Sequence, residues 1–241
     1  MNRNRFVFVM PAFNARETIQ YSINTVMMQN YPDWGIVVVD DMSTDGTPDA
    51  VQEMIDSYNM PEDRLKLIVN TEKKWEIANV LEGMKHADDS DIICRLDGDD
   101  WLCDTDALAI LNYRYDSEGY DAIWTAHRWS FTHANMSTDL PNDVNPYEHE
   151  WVSSHLKTFR KKLLSGVKDE NFRNSEGEYF KRIGDQVIYL PALYQAAGNW
   201  HFEPIVAYHY NIELNQDTFH TEDAKFQKDE ALELRERGFV E

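Results

Sequence analysis

The sequence predicts an α/β fold in which helices flank a mostly parallel central sheet, as one compact domain over residues 1–241. Two observations lead to this class. Short apolar, β-branched runs alternate with amphipathic stripes along the first hundred residues, an order typical of parallel strands joined by helical crossovers. In addition, 241 residues with 42% hydrophobic content are enough to bury one substantial core.

The first strand and helix follow from residues 6–30. The run Phe6-Val7-Phe8-Val9-Met10 is continuously apolar, as in strands that are buried on both faces, and Pro11 ends it. Asn14, with Glu17 three positions later, resembles a capping box. Apolar residues then recur at helical spacing: Ile19, Ile23, Val26 and Met27. We therefore expect a strand followed by a helix that runs to about Asn30.

Residues 36–96 repeat this order of strand and helix. The run Ile36-Val37-Val38-Val39 predicts a second strand, and Thr47 before Pro48 predicts a cap and the start of a second helix. Residues 65–69 and 91–96 predict the third and fourth strands. Between them, four apolar residues predict the third helix: Ile77, Val80, Leu81 and Met84.

Charge and composition exclude several classes of function. With 43 acidic and 23 basic residues the net charge is -20, which opposes non-specific binding to nucleic acid or to an anionic membrane. The one dense basic cluster, Lys157 to Lys162, predicts a solvated helix face. The apolar run over 6–10 is too short for a signal peptide or a membrane span. Together with Cys94 and Cys103, which are typical of reduced thiols, this predicts a cytoplasmic protein without an integral membrane segment.

Polar segments follow three of the predicted strands. They are Pro11 to Asn14, Asp40-Asp41 and Asp97-Gly98-Asp99-Asp100. Ligands of parallel sheets bind outside the carboxyl ends of the strands, so we expect these segments to meet in one crevice. The carboxylates of the third segment repel one another, and a divalent cation that carries a phosphate would offset this repulsion. Each segment alone could be a turn, but their convergence predicts a nucleotide diphosphate site.

The same three segments resemble, in order and spacing, the nucleotide-sugar half of the family 2 inverting glycosyltransferases, which have the GT-A fold. The resemblance extends over residues 5–102, and Met42 departs from the glycine that usually follows the paired aspartates. It implies that residues 1–102 bind a nucleotide-sugar donor, with UDP as the family's commonest nucleotide. It also implies that 103–215 bind the acceptor, and residues 216–241 are predicted to form a tail helix.

The resemblance implies roles for individual residues. Phe13 would lie against the base, Asp41 would accept a hydrogen bond from it, and Asp40 would support the loop. The full set of implied nucleotide contacts is Pro11, Ala12, Phe13, Asn14, Asp40, Asp41, Lys74, Asp97 and Gly98, with Lys73 beside Lys74 as a further candidate. Asp97 and Asp99 match the Asp-x-Asp motif that addresses ribose and metal. Asp100, His209 and His220 are further candidate ligands, and oxygen ligands with a diphosphate suit Mn²⁺ or Mg²⁺.

The second half offers a candidate general base. Asp185, in Ile183-Gly184-Asp185-Gln186, opens a predicted helix, where it could be only a cap. The family commonly places its base in a similar context, so the resemblance favours catalysis, with Glu176 and Glu178 in reserve. Trp124 and His155 are candidate acceptor contacts. Residues 128–150 predict either a loop over the acceptor or a plain surface excursion, and Phe226, Ala231 and Leu234 are expected to pack the tail helix.

These features predict a metal-dependent inverting glycosyltransferase that moves a sugar from a UDP-sugar to a hydroxyl group. The acceptor could be a glycan, a protein or a modified DNA base, and the net charge disfavours the last of these. A nucleotidyltransferase would show a Gly- and Lys/Arg-rich phosphate loop after the first strand, which Pro11 to Ala15 is not. The remaining alternative is a nucleotide-sugar- or carbohydrate-binding module without turnover.

Overall fold

One eight-stranded sheet organises the part of the chain that the computed structural model describes, residues 3–211 and 222–241. The strands are β1 (Phe6–Ala12), β2 (Trp34–Asp40), β3 (Leu65–Val69), β4 (Ile92–Arg95), β5 (Trp101–Leu102), β6 (Ala122–Trp129), β7 (Lys157–Arg160) and β8 (Trp200–Tyr210). Their order is β3-β2-β1-β4-β7-β6-β8-β5. Strands β1 to β4 are parallel, β7 is antiparallel to β4 and β6, β6 and β8 are parallel, and β5 is antiparallel to β8.

The helices lie on both faces of this sheet. They are α1 (Ile19–Met27), α2 (Thr47–Ser57), α3 (Trp75–Met84), α4 (Ala107–Tyr113), α5 (Gly184–Ala196) and α6 (Glu222–Arg237). A π-helical turn extends α4 over Arg114–Glu118, and short 3-10 turns cover Lys161–Leu164 and Asp169–Phe172. Among residues 3–211 and 222–241, no helix combines the length and the apolar character needed to cross a membrane. The predicted alternation of strands and helices is confirmed.

The side chains of β1 show how the sheet buries both faces. Phe6, Phe8 and Met10 belong to a core cluster that contains residues of α1, α2 and α4. Val7 and Val9 point to the opposite cluster, which contains residues of α3 and α5. Successive side chains of a strand point to opposite faces, so a continuous apolar run is needed where both faces are covered. This confirms the interpretation of residues 6–10 as a buried strand.

The capping box expected at Asn14 is wrong. Strand β1 continues through Pro11 and Ala12, which pair with Val39 and Asp40, and α1 begins only at Ile19. Asn14 has a positive φ of 51° and serves the loop after β2 instead. Its backbone N–H donates to Ser43 Oγ at 2.8 Å, and its side-chain oxygen accepts from the N–H of Thr44 at 2.9 Å. A tertiary contact has replaced the local cap.

Two other local expectations are wrong at helix ends. Gly46, with a φ of 87°, takes the capping position of α2, and Thr47 is the first helical residue. The Thr47 hydroxyl accepts the N–H of Ala15 at 2.8 Å, which ties α2 to the loop after β1. In α6, Leu234 is fully buried, but Phe226 is largely exposed and does not pack as expected.

The basic cluster is not a solvated helix face. Residues 157–160 form β7 between β4 and β6, and the cluster's cations have partners. Lys157 lies near Asp185, Arg160 and Lys162 pair with Asp121, and the Lys161 ammonium donates to the backbone oxygen of Ala87. The sequence prediction failed because a strand of four residues with Phe159 as its one apolar side chain has no apolar alternation to reveal it.

Candidate functional site

A crevice of about 780 Å³ opens at the carboxyl ends of β1, β2 and β4. It is lined by seven residues from the three segments singled out in the sequence: Pro11, Ala12, Phe13, Asp41, Asp97, Gly98 and Asp99. The expected convergence of these segments is therefore confirmed. The lining also includes Lys73 and six residues that the sequence did not single out: Trp75, Glu76, Asn79, Arg95, Lys181 and Arg182.

One end of the crevice presents two aromatic side chains with cations beside them. Phe13 is 52% exposed, and the Lys73 ammonium lies 3.0 Å from its ring centroid. Trp75 has a positive φ of 66°, and the Arg182 guanidinium lies 5.5 Å from its ring centroid. Exposed aromatic faces at this position can stack on a planar ring such as a nucleobase.

Asp41 organises the wall beside Phe13. Its carboxylate accepts the backbone N–H groups of Lys74 at 2.7 Å and Trp75 at 3.0 Å, and the side-chain amide of Asn70 at 3.1 Å. The Lys73 ammonium lies 3.3 Å away. Burial raises the pKa of Asp41, but these hydrogen bonds, led by the Lys74 N–H, outweigh it, and the net pKa is lowered. A base N–H could reach Asp41 if the Lys73 side chain moved aside.

Lys73 and Lys74 have different places in this wall. The Lys73 side chain lies in the crevice, whereas Lys74 contributes its backbone N–H to Asp41 and its side chain lines a separate surface depression. The side chain of Lys74 is therefore not placed for the nucleotide contact implied by the resemblance. The Lys73 side chain lies in the crevice instead.

Two further residues of the predicted set support the loops. Asp40 is fully buried and accepts the N–H of Ser43 at 3.0 Å, which holds the loop after β2. Gly98 fits tightly, because a Cβ there would lie 3.0 Å from Ile19 Cδ1 and 3.2 Å from Ala12 Cβ. The main chain at Gly98 therefore packs closely against β1 and α1, and the carboxylates of Asp97 and Asp99 on either side of it can face the crevice.

A chain of charges lies beneath the acidic loop. Arg95 is buried at the end of β4, and its Nη2 donates to both carboxylate oxygens of Asp97 at 3.1 Å. The same guanidinium forms an ion pair with Glu76 of α3. Burial raises the pKa of Glu76 to about 7, although Arg95 opposes that shift, and the nearby carboxylates of Asp97 and Asp185 add to it. Arg95 thus fixes the orientation of Asp97.

Asp185 lies in the first turn of α5 with its side chain 24% exposed. The Lys157 ammonium is 3.8 Å from its carboxylate, and the N–H of Gln186 donates to it at 2.9 Å. Lys157 itself is buried, and burial lowers its pKa to about 8 although Asp185 opposes this shift. The buried cation and the partly exposed carboxylate form a pair that joins β7 to α5.

The depressed pKa of Lys157 predicts a pH-dependent stability. The pKa of Lys157 is about 8 in the folded chain against an ordinary value of 10.5 for a lysine, so the unfolded chain binds more protons between these pH values. The free energy of unfolding of the wild type should therefore rise between about pH 8 and pH 10.5, when it is taken relative to that of Lys157→Met. Methionine has no titrating group and so does not contribute to this rise. Urea unfolding of both proteins from pH 7 to pH 10 measures this difference. The same series with Lys162→Met controls for the general loss of a positive charge. If the difference in free energy of unfolding between the wild type and Lys157→Met did not change with pH, the prediction would be contradicted.

The candidate metal ligands differ in their surroundings. Asp97 and Asp99 line the crevice, but Asp100 is buried, where it accepts the Tyr208 hydroxyl at 2.5 Å and the N–H of Asn211 at 2.8 Å. Burial, followed by the charges of Asp99 and Asp97, raises the pKa of Asp100. Asp100 therefore joins the acidic loop to β8, and this placement does not fit a metal ligand.

His209 also has its polar atoms engaged. Arg128 Nε donates to His209 Nδ1, and Ser130 Oγ contacts His209 Nε2, both at 3.1 Å. The imidazole ring stacks on the Trp101 ring, with 4.3 Å between the ring centroids. Neither nitrogen is available to a metal in this arrangement. His220 lies outside the described residues. Within the described ranges, no group of three or more His, Cys, Asp or Glu side chains is placed to hold a metal ion by itself.

The two candidate acceptor contacts differ in their exposure to solvent. Trp124 is 0% exposed, and its indole N–H donates to the backbone oxygen of Thr138 at 2.9 Å. The prediction that Trp124 contacts the acceptor directly is therefore wrong. The His155 ring stacks on the rings of Tyr208 and Tyr210, with distances between ring centroids of 4.5 and 5.3 Å. Burial, with the charge of Lys157, lowers the pKa of His155. His155 is partly exposed, and its contact with an acceptor stays a prediction.

The alternative general bases, Glu176 and Glu178, and the segment predicted to cover the acceptor lie largely in irregular parts of the chain. Glu176 and Glu178 are exposed, and Glu178 accepts the Lys181 ammonium at 3.0 Å. Strand β6 runs to Trp129, two residues into the segment 128–150, and residues 130–156 contain no helix or strand. That segment packs Leu140 and Tyr147 into the core. Its role toward an acceptor stays a prediction.

Signals for some of the missed residues were present in the sequence. Arg95 interrupts the apolar run Ile92-Ile93-Cys94, and a charged residue inside a buried strand requires a charged partner. That partner could have been sought near the acidic loop. Glu76 carries no such signal, because a glutamate in the first turn of a helix is ordinary.

The order of strands and helices is that of a GT-A type α/β fold, and comparison with known proteins agrees. The model of Glycosyl transferase family 2 matches residues 7–189. The chain belongs to this family.

Curated relatives match over part of their length. The chain is 36% identical over 92 residues to the putative glycosyltransferase EpsE of Bacillus subtilis, which covers 38% of this chain and 32% of that protein. It is 30% identical over 178 residues to the glycosyltransferase AglE of Haloferax volcanii, with coverage of 66% and 57%. The chain therefore spans about a third to rather more than half of these relatives.

Solved structures resemble the chain more completely. S. aureus TarS 1–349 in complex with UDP-GlcNAc superimposes with a TM-score of 0.72 at 17% identity, covering 98% of this chain and 68% of that one. The mannosyltransferase PcManGT from Pyrobaculum calidifontis, in complex with GDP-Man and Mn²⁺, gives 0.62 at 20% identity, with coverage of 89% and 59%. These likenesses support the GT-A fold.

Proposed function

We propose that this protein transfers a sugar from a UDP-sugar to an acceptor hydroxyl with inversion at the anomeric carbon. The observation that carries the proposal is the single crevice that joins Phe13 and Asp41 at one end to Asp97 and Asp99 at the other. Such a crevice offers an aromatic face for a base and carboxylates at the phosphate end. The chain's membership in Glycosyl transferase family 2 supports the same assignment.

The donor set fits Mn²⁺ or Mg²⁺. Both ions bind oxygen, and Mg²⁺ is commonly held by one or two carboxylates together with substrate phosphates. Asp97 and Asp99 supply the carboxylates, and Arg95 uses one donor atom on Asp97, which leaves lone pairs on both of its oxygens. When bound, the ion would stabilise the negative charge that develops on the leaving diphosphate.

Asp185 is the proposed general base. Inversion by a single displacement requires a base that takes the acceptor proton on the sugar face opposite the leaving group. The Asp185 carboxylate is partly exposed, and its charge acts on Glu76, a residue that lines the crevice. The acceptor is a hydroxyl-bearing molecule, and a nucleic acid is disfavoured by the net charge of -20.

Metal removal tests the proposal directly. We expect UDP release from at least one member of a panel of UDP-glucose, UDP-N-acetylglucosamine and UDP-galactose, with simple glycosides as acceptors and Mn²⁺ present. EDTA should lower the rate at least about 100-fold, because the ion supplies several kcal/mol to the transition state, and excess Mn²⁺ should restore it. Nucleotide release is measured by a coupled assay.

Four outcomes would contradict parts of this proposal. Tight UDP binding without release from any donor would favour the binding module. Pyrophosphate formation from UTP and a sugar 1-phosphate would favour the nucleotidyltransferase. An unchanged rate in EDTA would exclude metal dependence, and retention of the anomeric configuration in the product NMR spectrum would exclude inversion.

A further inference from the structure

The tail helix α6 carries a buried carboxylate. Glu230 is 5% exposed and lies four residues before Leu234, so the two share the face of α6 that packs against the rest of the protein. A carboxylate taken out of water is costly unless hydrogen-bond donors surround it. The partners of Glu230 therefore indicate what this face holds in place.

Those partners are two consecutive backbone groups before α5. The N–H of Lys181 donates to both carboxylate oxygens of Glu230, at 2.9 and 3.2 Å, and the N–H of Arg182 donates at 2.8 Å. The side-chain amide of Gln227, also in α6, donates to the backbone oxygen of Arg182 at 3.2 Å. Hydrogen bonds to an ionised acceptor are stronger than neutral ones. Helix α6 thus fixes the main chain at Lys181 and Arg182.

The side chains of the same two residues line the crevice. Arg182 lies over the ring of Trp75, and Asp185 follows three residues later in the first turn of α5. The crevice also contains the carboxylates of Asp97 and Asp99, and the protein carries a net charge of -20. Cations are therefore needed near a bound diphosphate, and their location depends on the main chain that Glu230 holds.

We propose that Glu230 is a positioning residue for donor binding, which places the cationic side chains of Lys181 and Arg182 in the crevice that would hold the nucleotide diphosphate. This inference rests on the proposed function, since it assumes a nucleotide diphosphate in the crevice. Glu230 touches neither the donor nor the reacting atoms. It acts through the backbone of its two partners.

The test compares Glu230→Gln with Glu233→Gln. Glu233 is on the same helix and accepts the N–H of Ser175 at 2.6 Å, away from the crevice. Calorimetric titration with UDP in MnCl₂ should show Kd raised about tenfold in Glu230→Gln, the loss that corresponds to one hydrogen bond to a charged group. Glu233→Gln should bind UDP with the affinity of the wild type. Its melting temperature should be similar to that of Glu230→Gln.

A second comparison separates positioning from general stability. Arg182→Ala should weaken UDP binding by itself, and adding Glu230→Gln to it should weaken binding by less than the product of the two single effects, because both changes remove the same contact. The acceptor KM should not change in Glu230→Gln.

The outcomes have distinct meanings. A wild type that neither binds UDP nor releases it from a donor would refute the proposed function, and the inference with it. A wild type that binds UDP, together with unchanged affinity in Glu230→Gln, would overturn the inference alone, as would equal losses in both glutamate variants. If Glu230→Gln does not fold, Gln227→Ala replaces it. That variant should weaken UDP binding about twofold to threefold, and wild-type affinity would again overturn the inference.

Discussion

Asp185→Asn is expected to lower kcat for sugar transfer by about 10²- to 10⁴-fold, the contribution of a positioned general base. Asparagine keeps the size of the side chain and an oxygen for the N–H of Gln186, but it cannot take a proton. UDP affinity should stay within about twofold of the wild type, since Asp185 is not among the residues that line the crevice. Steady-state kinetics and UDP titration measure both quantities.

A loss of stability could imitate this result, and a double variant controls for it. Asp185 is the anionic neighbour of the buried Lys157 at 3.8 Å, so its neutralisation leaves a buried cation with less compensation. Lys157→Met combined with Asp185→Asn removes that cost and should recover the melting temperature without recovering transfer. Recovery of transfer in the double variant would contradict the assignment, as would a larger loss of kcat in Glu176→Gln or Glu178→Gln.

Gly184→Ala is expected to have the largest effect on stability, about 1–3 kcal/mol, the usual cost of overpacking. A Cβ at Gly184 would lie 2.0 Å from Glu76 Oε1 and 2.2 Å from its Cδ, so the carboxylate would have to move. It cannot move freely, because it is ion-paired with Arg95, which also holds Asp97. We therefore expect weaker metal-dependent UDP binding as well as a lower free energy of unfolding.

A double-mutant cycle with Glu76→Ala tests the steric cause. Removing the Glu76 carboxylate clears the space that the new methyl group requires, so the double variant should be less destabilised than the sum of the single variants. Urea unfolding supplies the four free energies. Additive effects would show that the cost of Gly184→Ala arises elsewhere, for example in the backbone at the start of α5.

The fold of the first half could be predicted from local patterns. The apolar runs of β1 and β2 and the stripe of α3 each depend on residues adjacent in sequence, and burial on both faces of a parallel sheet leaves a direct mark on composition. The helix ends were less predictable. The side chains of Asn14 and Thr47 bond to residues about thirty positions away in the chain, and no local pattern records such a contact.

The predicted site residues divide in the same way. Phe13, Asp41, Asp97 and Asp99 lie where their strands end, and strand ends can be found in the sequence. Trp124 was a candidate by residue type, Asp100 by its place in the acidic loop and His209 by the family resemblance, and burial or hydrogen bonding gives each of them another environment. Residue type indicates what a side chain can do, but not whether it faces the ligand.

The acidic loop after β4 and its companions after β1 and β2 were determined by the sequence, because strand order and the carboxyl-end rule bring them to one edge. Only the tertiary structure decided which charges support that loop. Arg95 joins Glu76 to Asp97, Lys157 lies beside Asp185, and Glu230 of α6 holds the segment with Lys181 and Arg182. These groups come from distant parts of the chain, and their energies depend on burial and distance, which exist only once the chain has folded.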